Sequence, residues 1–364
     1  MKVVFLSESS VHWKNSAAQV HRLKKLEQGL NSRGIETDFI ALPDLGFAGY
    51  PILFPLNYRS VRKRLQDCDF IHAVGDTAFT AMVWKIFCGA TVIHDVDADT
   101  LAEAHMYWRQ WRDWDNALLL LQTHIMNWVE YRSRDYFTTV SRPLQQRLIN
   151  DKGVPEKRLV LVRNGVDTGL FKPRPRTPSK EFTVCYAGGF HVWQGIENLI
   201  NTAKLLEGES IRFQIVGFQD QNAEIKQRIR TTLSDKVELI DRIPQEELIE
   251  RLSQADLLLI PRTPDPAVEI AFPTKFAEYL SMARPVLVTD VDETATLVRE
   301  YKCGLVVEPE PAAIAAGIKK AAALDVQTLS EMGANGRRLA ESAFSWPVIC
   351  QDYAAQLIQW KGTP

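Results

Sequence analysis

The first 43 residues, MKVVFLSESSVHWKNSAAQVHRLKKLEQGLNSRGIETDFIALP (1–43), hold a short apolar run at 3–6, a polar loop, and then apolar residues at Val20, Leu23, Leu26 and Leu30. That spacing of three and four is helical, and Gly34 marks the end of the helix. A second apolar run, 37–42, starts at once. Strand, helix, strand in this order is how parallel strands are joined, because they need a crossover connection. Runs of the same kind at 70–74, 91–94, 136–140 and 159–162, most separated by helical patterns, extend the unit into a parallel sheet with helices on both faces.

The composition changes at residues 168–181, TGLFKPRPRTPSKE, which carry three prolines and few apolar side chains. This stretch reads as a linker. Beyond it the alternation restarts, with strand-like runs at 182–187, 212–216, 237–240, 256–260, 285–289 and 304–307 and helical patterns such as 195–206 and 245–254. A length of 364 residues also suits two cores better than one. The expected architecture is α/β, with two Rossmann-like doubly wound domains, 1–167 and 168–344, facing each other across a cleft lined by strand-to-helix loops.

With 46% hydrophobic and 24% charged residues and a net charge of −2, the chain has an ordinary globular composition, and no nucleic-acid partner is expected. Cys68, Cys88, Cys185, Cys303 and Cys350 are odd in number, widely spread and without a Cys-x-x-Cys pair. They point away from a disulfide framework or a zinc site and toward a reducing cytoplasm. The N-terminal run is a buried-strand pattern without the features of a signal peptide, and no stretch approaches the ~18 apolar residues of a spanning helix.

Three later blocks carry more specific information. A strand ends in Arg163, followed by Asn164-Gly165-Val166-Asp167 and Phe171-x-Pro173. Asn-Gly alone is a common turn. Farther on come GFQDQNAEIKQRIRTTLSDKVELIDRIPQEELIERLSQADLLLIP (217–261) and FPTKFAEYLSMARPVLVTD (272–290). In this order and spacing the blocks resemble the GT4-type (group 1) retaining glycosyltransferases of GT-B fold over nearly the whole chain. The resemblance implies a hexosyltransferase that moves a hexose-type sugar from a nucleoside diphosphate sugar to an acceptor hydroxyl, with retention at the anomeric carbon. It implies a donor held mainly by the second domain, and a C-terminal helix, 345–364, that packs back on the first. The nucleotide sugar is a co-substrate; no other cofactor and no metal is expected.

The chemistry of 272–290 is readable from the residues as well. Pro273 suits the start of a helix, where its missing N–H costs nothing, and the free N–H groups around Thr274 and Lys275 favour an anion by about 0.3–1 kcal/mol. A diphosphate fits there, with Lys275 and Arg262 as candidate cations. Glu278, one turn on, can accept both ribose hydroxyls, as the matching glutamate does in the family. The loop Gly188-Gly189-Phe190-His191-Val192-Trp193-Gln194-Gly195 resembles the family's phosphate loop but has Gly189 and Gln194 where an arginine and a lysine are common. Gly188, Gly189, Gln194 and Gly217 are then expected to line the donor by close backbone approach, and charge offset falls on Lys275 and Arg262. Lys275 is also a catalytic candidate, as the stabiliser of the leaving group. The family's first paired glutamate, eight positions before Glu278, corresponds to Ile270. Glu269 either reaches the donor sugar as a catalytic carboxylate or is a loop carboxylate.

In the first domain, Thr91-Val92-Ile93-His94-Asp95 resembles the family's strand that ends in His-Asp at the cleft, which makes His94 a catalytic candidate for contact with the transferred sugar or the acceptor. Asp95, Asp97 and Asp99 form a D-x-D-x-D string, but the glycine and glutamate of a calcium loop are Thr100 and Met106 here, so no metal role follows. Asn15 and Ser16 stand on the acceptor side, where relatives carry a glycine pair; the acceptor is a sugar, a lipid-linked molecule or a small molecule. Residues 105–134 concentrate Trp108, Trp111, Trp114, Trp128, Arg109, Arg112 and Arg132. They read as a long helix packed on the sheet by its aromatic stripe, or as a contact with a lipid-linked or aromatic acceptor, or as a peripheral contact with the inner face of a membrane. The missing phosphate cations keep a second reading open, a catalytically inactive sugar-nucleotide-binding or regulatory protein of the same fold.

Overall fold

Val3, Val4, Phe5 and Leu6 are all fully buried, so both faces of the first strand are covered, as expected of a parallel strand between helical layers. The computed structural model describes residues 1–9, 16–43, 58–59, 61–75, 77–111, 114–133, 135–177, 179–219, 222–233 and 236–362. The chain forms two units, Met1–Asn164 with Trp346–Pro364, and Gly165–Ser345. The outgoing and returning connections meet at the boundary, where Val166 N–H donates to the Phe344 carbonyl at 2.8 Å.

In the first unit the strands are β1 (Lys2–Ser9), β2 (Glu36–Pro43), β3 (Phe70–Val74), β4 (Thr91–Val96), β5 (Tyr136–Thr139) and β6 (Leu159–Leu161). Its helices are α1 (Ser16–Asn31), α2 (Thr77–Cys88), α3 (Thr100–Trp111), α4 (Trp114–Tyr131) and α5 (Arg142–Asn150), together with the C-terminal Trp346–Lys361. Among the described residues all ladders are parallel, in the order β2-β1-β3-β4-β5-β6. Leu23, Leu26 and Leu30 of α1 join Tyr353, Leu357 and Trp360 against Val3, Phe5 and Ile93 on one face. Leu65, Ala81 and Trp84 cover Val4, Leu6 and Ile71 on the other.

A buried polar network ties these layers together. Arg22 of α1 donates to both carboxylate oxygens of Asp95 at 3.1 Å and to the carbonyls of Val162 at 2.7 Å and Arg163 at 2.8 Å. Thr138 Oγ1 donates to Asp95 at 2.6 Å, and His72 bridges Asp95 at 3.3 Å and the Tyr353 hydroxyl at 2.6 Å. Burial pushes the Asp95 carboxyl up, but Arg22 and His72 outweigh it and hold it well below the usual carboxylate range.

The second unit carries β7 (Phe182–Ala187), β8 (Ile211–Phe218), β9 (Val237–Asp241), β10 (Leu257–Ile260), β11 (Val286–Thr289) and β12 (Gly304–Val307). Its helices are α6 (Ile196–Leu205), α7 (Ala223–Thr232), α8 (Gln245–Gln254), α9 (Pro266–Glu269), α10 (Thr274–Ser281), α11 (Glu293–Tyr301), α12 (Pro311–Ala322) and α13 (Val326–Leu339); the returning C-terminal helix is α14. The sheet is again parallel, in the order β12-β11-β10-β7-β8-β9. Strand order therefore reverses between β7 and β10.

His94 lies two residues before the end of β4, buried, with its ring stacked on Phe137 at 4.8 Å, and it lines a pocket with Gly75, Asp97 and Thr100 at the carboxyl ends of β3 and β4. One expectation needs correction. The aromatic stripe of residues 105–134 was expected to pack on the sheet; Trp114 and Trp128 instead face solvent.

Candidate functional site

The reversal of strand order places the carboxyl ends of β7 and β10 side by side, which is where open α/β sheets bind their ligands. After β7 the chain turns through Gly188 and Gly189. Gly188 has φ +151 and Gly217, at the end of β8, has φ +120; a Cβ on Gly217 would come within 2.5 Å of the Gly188 carbonyl oxygen. Gly195, with φ +73, opens α6 beside the end of β10, and a Cβ there would lie 1.6 Å from the Pro261 oxygen. These three positions require glycine, and they bring the backbone of both strand ends close together.

Helix α10 begins at the same place. Pro273 is its N-cap, with φ −71, and among the described residues no side chain caps the helix start. Lys275 in the first turn is buried; its Nζ donates to Gln194 Oε1 at 2.9 Å and lies 4.2 Å from the centroid of the Tyr186 ring. Burial, then the positive charge of Arg262, pushes the ammonium down to about 7. Glu278, half-buried on the next turn, is pushed up to about 7 by burial, against the opposing pull of Lys275. Tyr279 holds α10 to β7, its hydroxyl accepting from Ala187 N–H at 2.7 Å and donating to the Ala187 carbonyl at 3.1 Å. Tyr186 donates to the Gly189 carbonyl at 2.6 Å and so fixes the glycine turn.

Gly188, Gly189, Gln194, Gly217, Pro273, Thr274, Lys275 and Glu278 are thus gathered around one end of the second sheet. Arg262 is there too, but its guanidinium is buried and paired with Asp292, the N-cap of α11, and donates to the Ala271 carbonyl at 3.3 Å. Its charge is balanced before any ligand arrives. Glu269 ends the short helix α9 with its side chain exposed, whereas Ile270 is buried. Tyr186, Tyr279 and Asp292 were missed by sequence reasoning. The tyrosines read as core aromatics in apolar runs, and nothing in sequence pairs Asp292 with an arginine thirty residues earlier.

In the first unit His94 Nε2 lies 3.5 Å from Asp135, which also pairs with Lys85 at 2.6 Å. Burial lowers the His94 pKa, and the Asp135 carboxylate only partly offsets this. His94 lines a small, partly open pocket between the carboxyl ends of β3 and β4, with Gly75 and Asp97, and the α4 residues Thr123, Asn127 and Glu130. The three aspartates of the D-x-D-x-D string go to separate partners. Asp95 takes Arg22, Asp97 accepts from Gln19 at 2.8 Å, and Asp99 caps α3 and pairs with Arg147 at 2.8 Å. Asn15 lies outside the described residues, and of Ser16 only its backbone at the start of α1 is described.

Two parallel sheets of this order, each wound with helices, define a GT-B protein, and solved structures of that class superpose on the chain along its length. Sucrose-phosphate synthase from Thermosynechococcus elongatus aligns with a TM-score of 0.79 at 17% identity, covering 99% of both chains. HepE from Anabaena, solved in complex with UDP and glucose, aligns with a TM-score of 0.72 at 17% identity, covering 99% of this chain and 100% of its own. The chain belongs to the group 1 and family 4 glycosyltransferases: residues 168–339 match the model described as "Glycosyl transferases group 1" and residues 21–170 the model described as "Glycosyltransferase Family 4". Among curated proteins, it is 26% identical to the putative colanic acid biosynthesis glycosyltransferase WcaL of Escherichia coli over 56% of this chain and 52% of that protein. It is 25% identical to the MMP alpha-(1->4)-mannosyltransferase of Mycolicibacterium hassiacum over 85% of this chain and 75% of that protein. The chain thus spans about half the length of the first of these relatives.

Proposed function

We propose that the chain transfers a hexose-type residue from a nucleoside diphosphate sugar to an acceptor hydroxyl, with retention at the anomeric carbon. The observation that carries this reading is the buried Lys275 at the uncapped start of α10, beside the glycine turn after β7. A buried ammonium not paired with a carboxylate is unfavourable unless a ligand supplies the anion. A diphosphate does so: its oxygens meet Lys275 and the N–H groups of the first turn, and Glu278 one turn on takes the ribose hydroxyls. No metal cofactor is assigned, because these groups offset the diphosphate charge. The solved complexes of HepE with UDP and with UDP-glucose support a nucleotide-sugar donor.

In this reading the chemical work is leaving-group stabilisation. Donors placed where charge develops on the departing phosphate act in a site sheltered from water, and such groups commonly supply most of an enzyme's rate. No carboxylate nucleophile takes part; the departing phosphate acts as the base for the acceptor hydroxyl.

Calorimetry and thermal shift with UDP, GDP and ADP test the donor. The matching nucleotide should stabilise the chain by about 2.7 kcal/mol at a hundred times its dissociation constant. NMR of the product tests the stereochemistry, and an inverted anomer rejects retention. Tight nucleotide binding without turnover of any sugar donor favours instead a non-catalytic binding protein. That second reading draws on Glu269, which is exposed, and on Ile270, which fills the place of the family's first glutamate.

A further inference from the structure

Helix α4 turns a line of large apolar side chains to solvent. Its inner side carries Thr123, Asn127 and Tyr131, all buried, with Asn127 and Glu130 on the pocket at the carboxyl ends of β3 and β4, and Leu120, Met126 and Val129 are half-buried. Trp114, Leu118, Leu121, Ile125 and Trp128 recur at alternating steps of four and three and so form one line along the helix; they are 91, 63, 59, 58 and 60% exposed. An amphipathic helix of a water-facing layer normally points such a line at the core. Isolated exposed apolar side chains are ordinary, but an unbroken row along a whole helix marks a surface that something covers.

The surroundings say what covers it. Helix α2 packs beside α4 and ends in Ile86 and Phe87, which are also exposed. The Phe87 ring is 5.1 Å from that of Tyr58, and directly after Tyr58 the chain exposes Arg59, Arg62 and Lys63. At the other end, the exposed Arg132 places its guanidinium 4.9 Å from the Trp128 ring. The surface is an apolar ridge with a tryptophan at each end and cations on both flanks. Tryptophan at the margins and basic side chains around an apolar strip match the headgroup region of an anionic bilayer. A second copy of the chain fits less well, because a symmetric pairing across the ridge brings cationic flanks toward one another.

We infer that this face of the first unit docks on an anionic phospholipid surface, with α4 lying in the interface. The binding is independent of the donor site and is measured without donor. The whole chain is floated with phosphatidylcholine vesicles that contain or lack phosphatidylglycerol. It should float with the anionic vesicles only and be released by high salt. Leu118→Gln with Ile125→Gln, and separately Arg59→Glu with Arg62→Glu, should each lower the bound fraction about tenfold. Both variants alter exposed side chains, so their melting curves should match the parent. The inference fails if the chain ignores anionic vesicles. It fails equally if neutral vesicles bind as well and the charge reversals have no effect, or if sedimentation shows a dimer that the Leu118 and Ile125 changes dissolve while vesicles bind nothing.

Discussion

The ammonium of Lys275 sits 4.2 Å from the centre of the Tyr186 ring and gives a hydrogen bond to an uncharged amide, that of Gln194. The ring and the amide together are a weaker partner than a carboxylate, and burial with the nearby Arg262 lowers the ammonium's pKa to about 7. The first prediction follows from that value. A diphosphate beside Lys275 favours its charged form, so nucleotide binding at pH 8 should take up protons, and the dissociation constant should rise as pH increases above about 7. Calorimetry in buffers of different ionisation enthalpy reads this directly. Lys275→Ala should raise the dissociation constant at least about tenfold and abolish the proton uptake. Unchanged affinity would remove the phosphate assignment.

The same lysine should weaken the free protein. Its folded pKa lies below the unfolded one, so the unfolded state binds more protons between about pH 7 and the ordinary lysine value, and stability rises with pH across that window. Below pH 7 the penalty is present in full. Lys275→Met, of similar length and without the charge, should therefore raise Tm at pH 6 while destroying nucleotide binding. Glu278 works in the opposite sense. Its folded pKa is raised to about 7, so its contribution is complete at acid pH and is lost as pH climbs from the usual carboxylate value through 7. Glu278→Gln should raise Tm most at pH 8, and should weaken nucleotides more than inorganic pyrophosphate if the ribose is what it holds. Equal losses for both ligands would overturn the ribose role.

Arg262 and Asp292 form a buried pair at the end of β10 and the start of α11. Asp292→Ala should be strongly destabilising, by about 3–5 kcal/mol, because it leaves the guanidinium buried without a counter-charge and also removes the cap of α11. Urea denaturation measures the loss. Freed from its partner, Arg262 can turn toward an anion, so nucleotide should recover more stability in this variant than in the parent; a smaller recovery would show that Arg262 never reaches the ligand.

Much of this architecture could be read from the chain alone. All twelve strands among the described residues fall on the apolar runs identified in sequence, because a parallel strand covered on both faces must be largely apolar, and Val3–Leu6 or Leu257–Ile260 have no other use. The glycine turn, Lys275 and Glu278 were legible for a similar reason: glycine, a helix-starting proline and a charge one turn on form a local pattern. What escaped depends on side chains distant in sequence. Arg262 read as a free cation because its partner is thirty positions away. Helix α4 read as core-packed because its stripe has the right period, and period fixes which residues share a face but not which way that face points.

Glu269 stands one position before the place of the family's first glutamate. Its side chain is exposed at the end of α9, while the neighbouring Ile270 is buried. A carboxylate that faces water binds a sugar hydroxyl weakly, because the hydroxyl gives up an equal bond to water in reaching it. Glu269→Gln should therefore leave donor affinity and turnover within about twofold, as surface substitutions usually do. Should turnover fall by orders of magnitude with the melting curve unchanged, α9 must rearrange when donor binds, and the catalytic carboxylate of this chain sits one position from where the family keeps it.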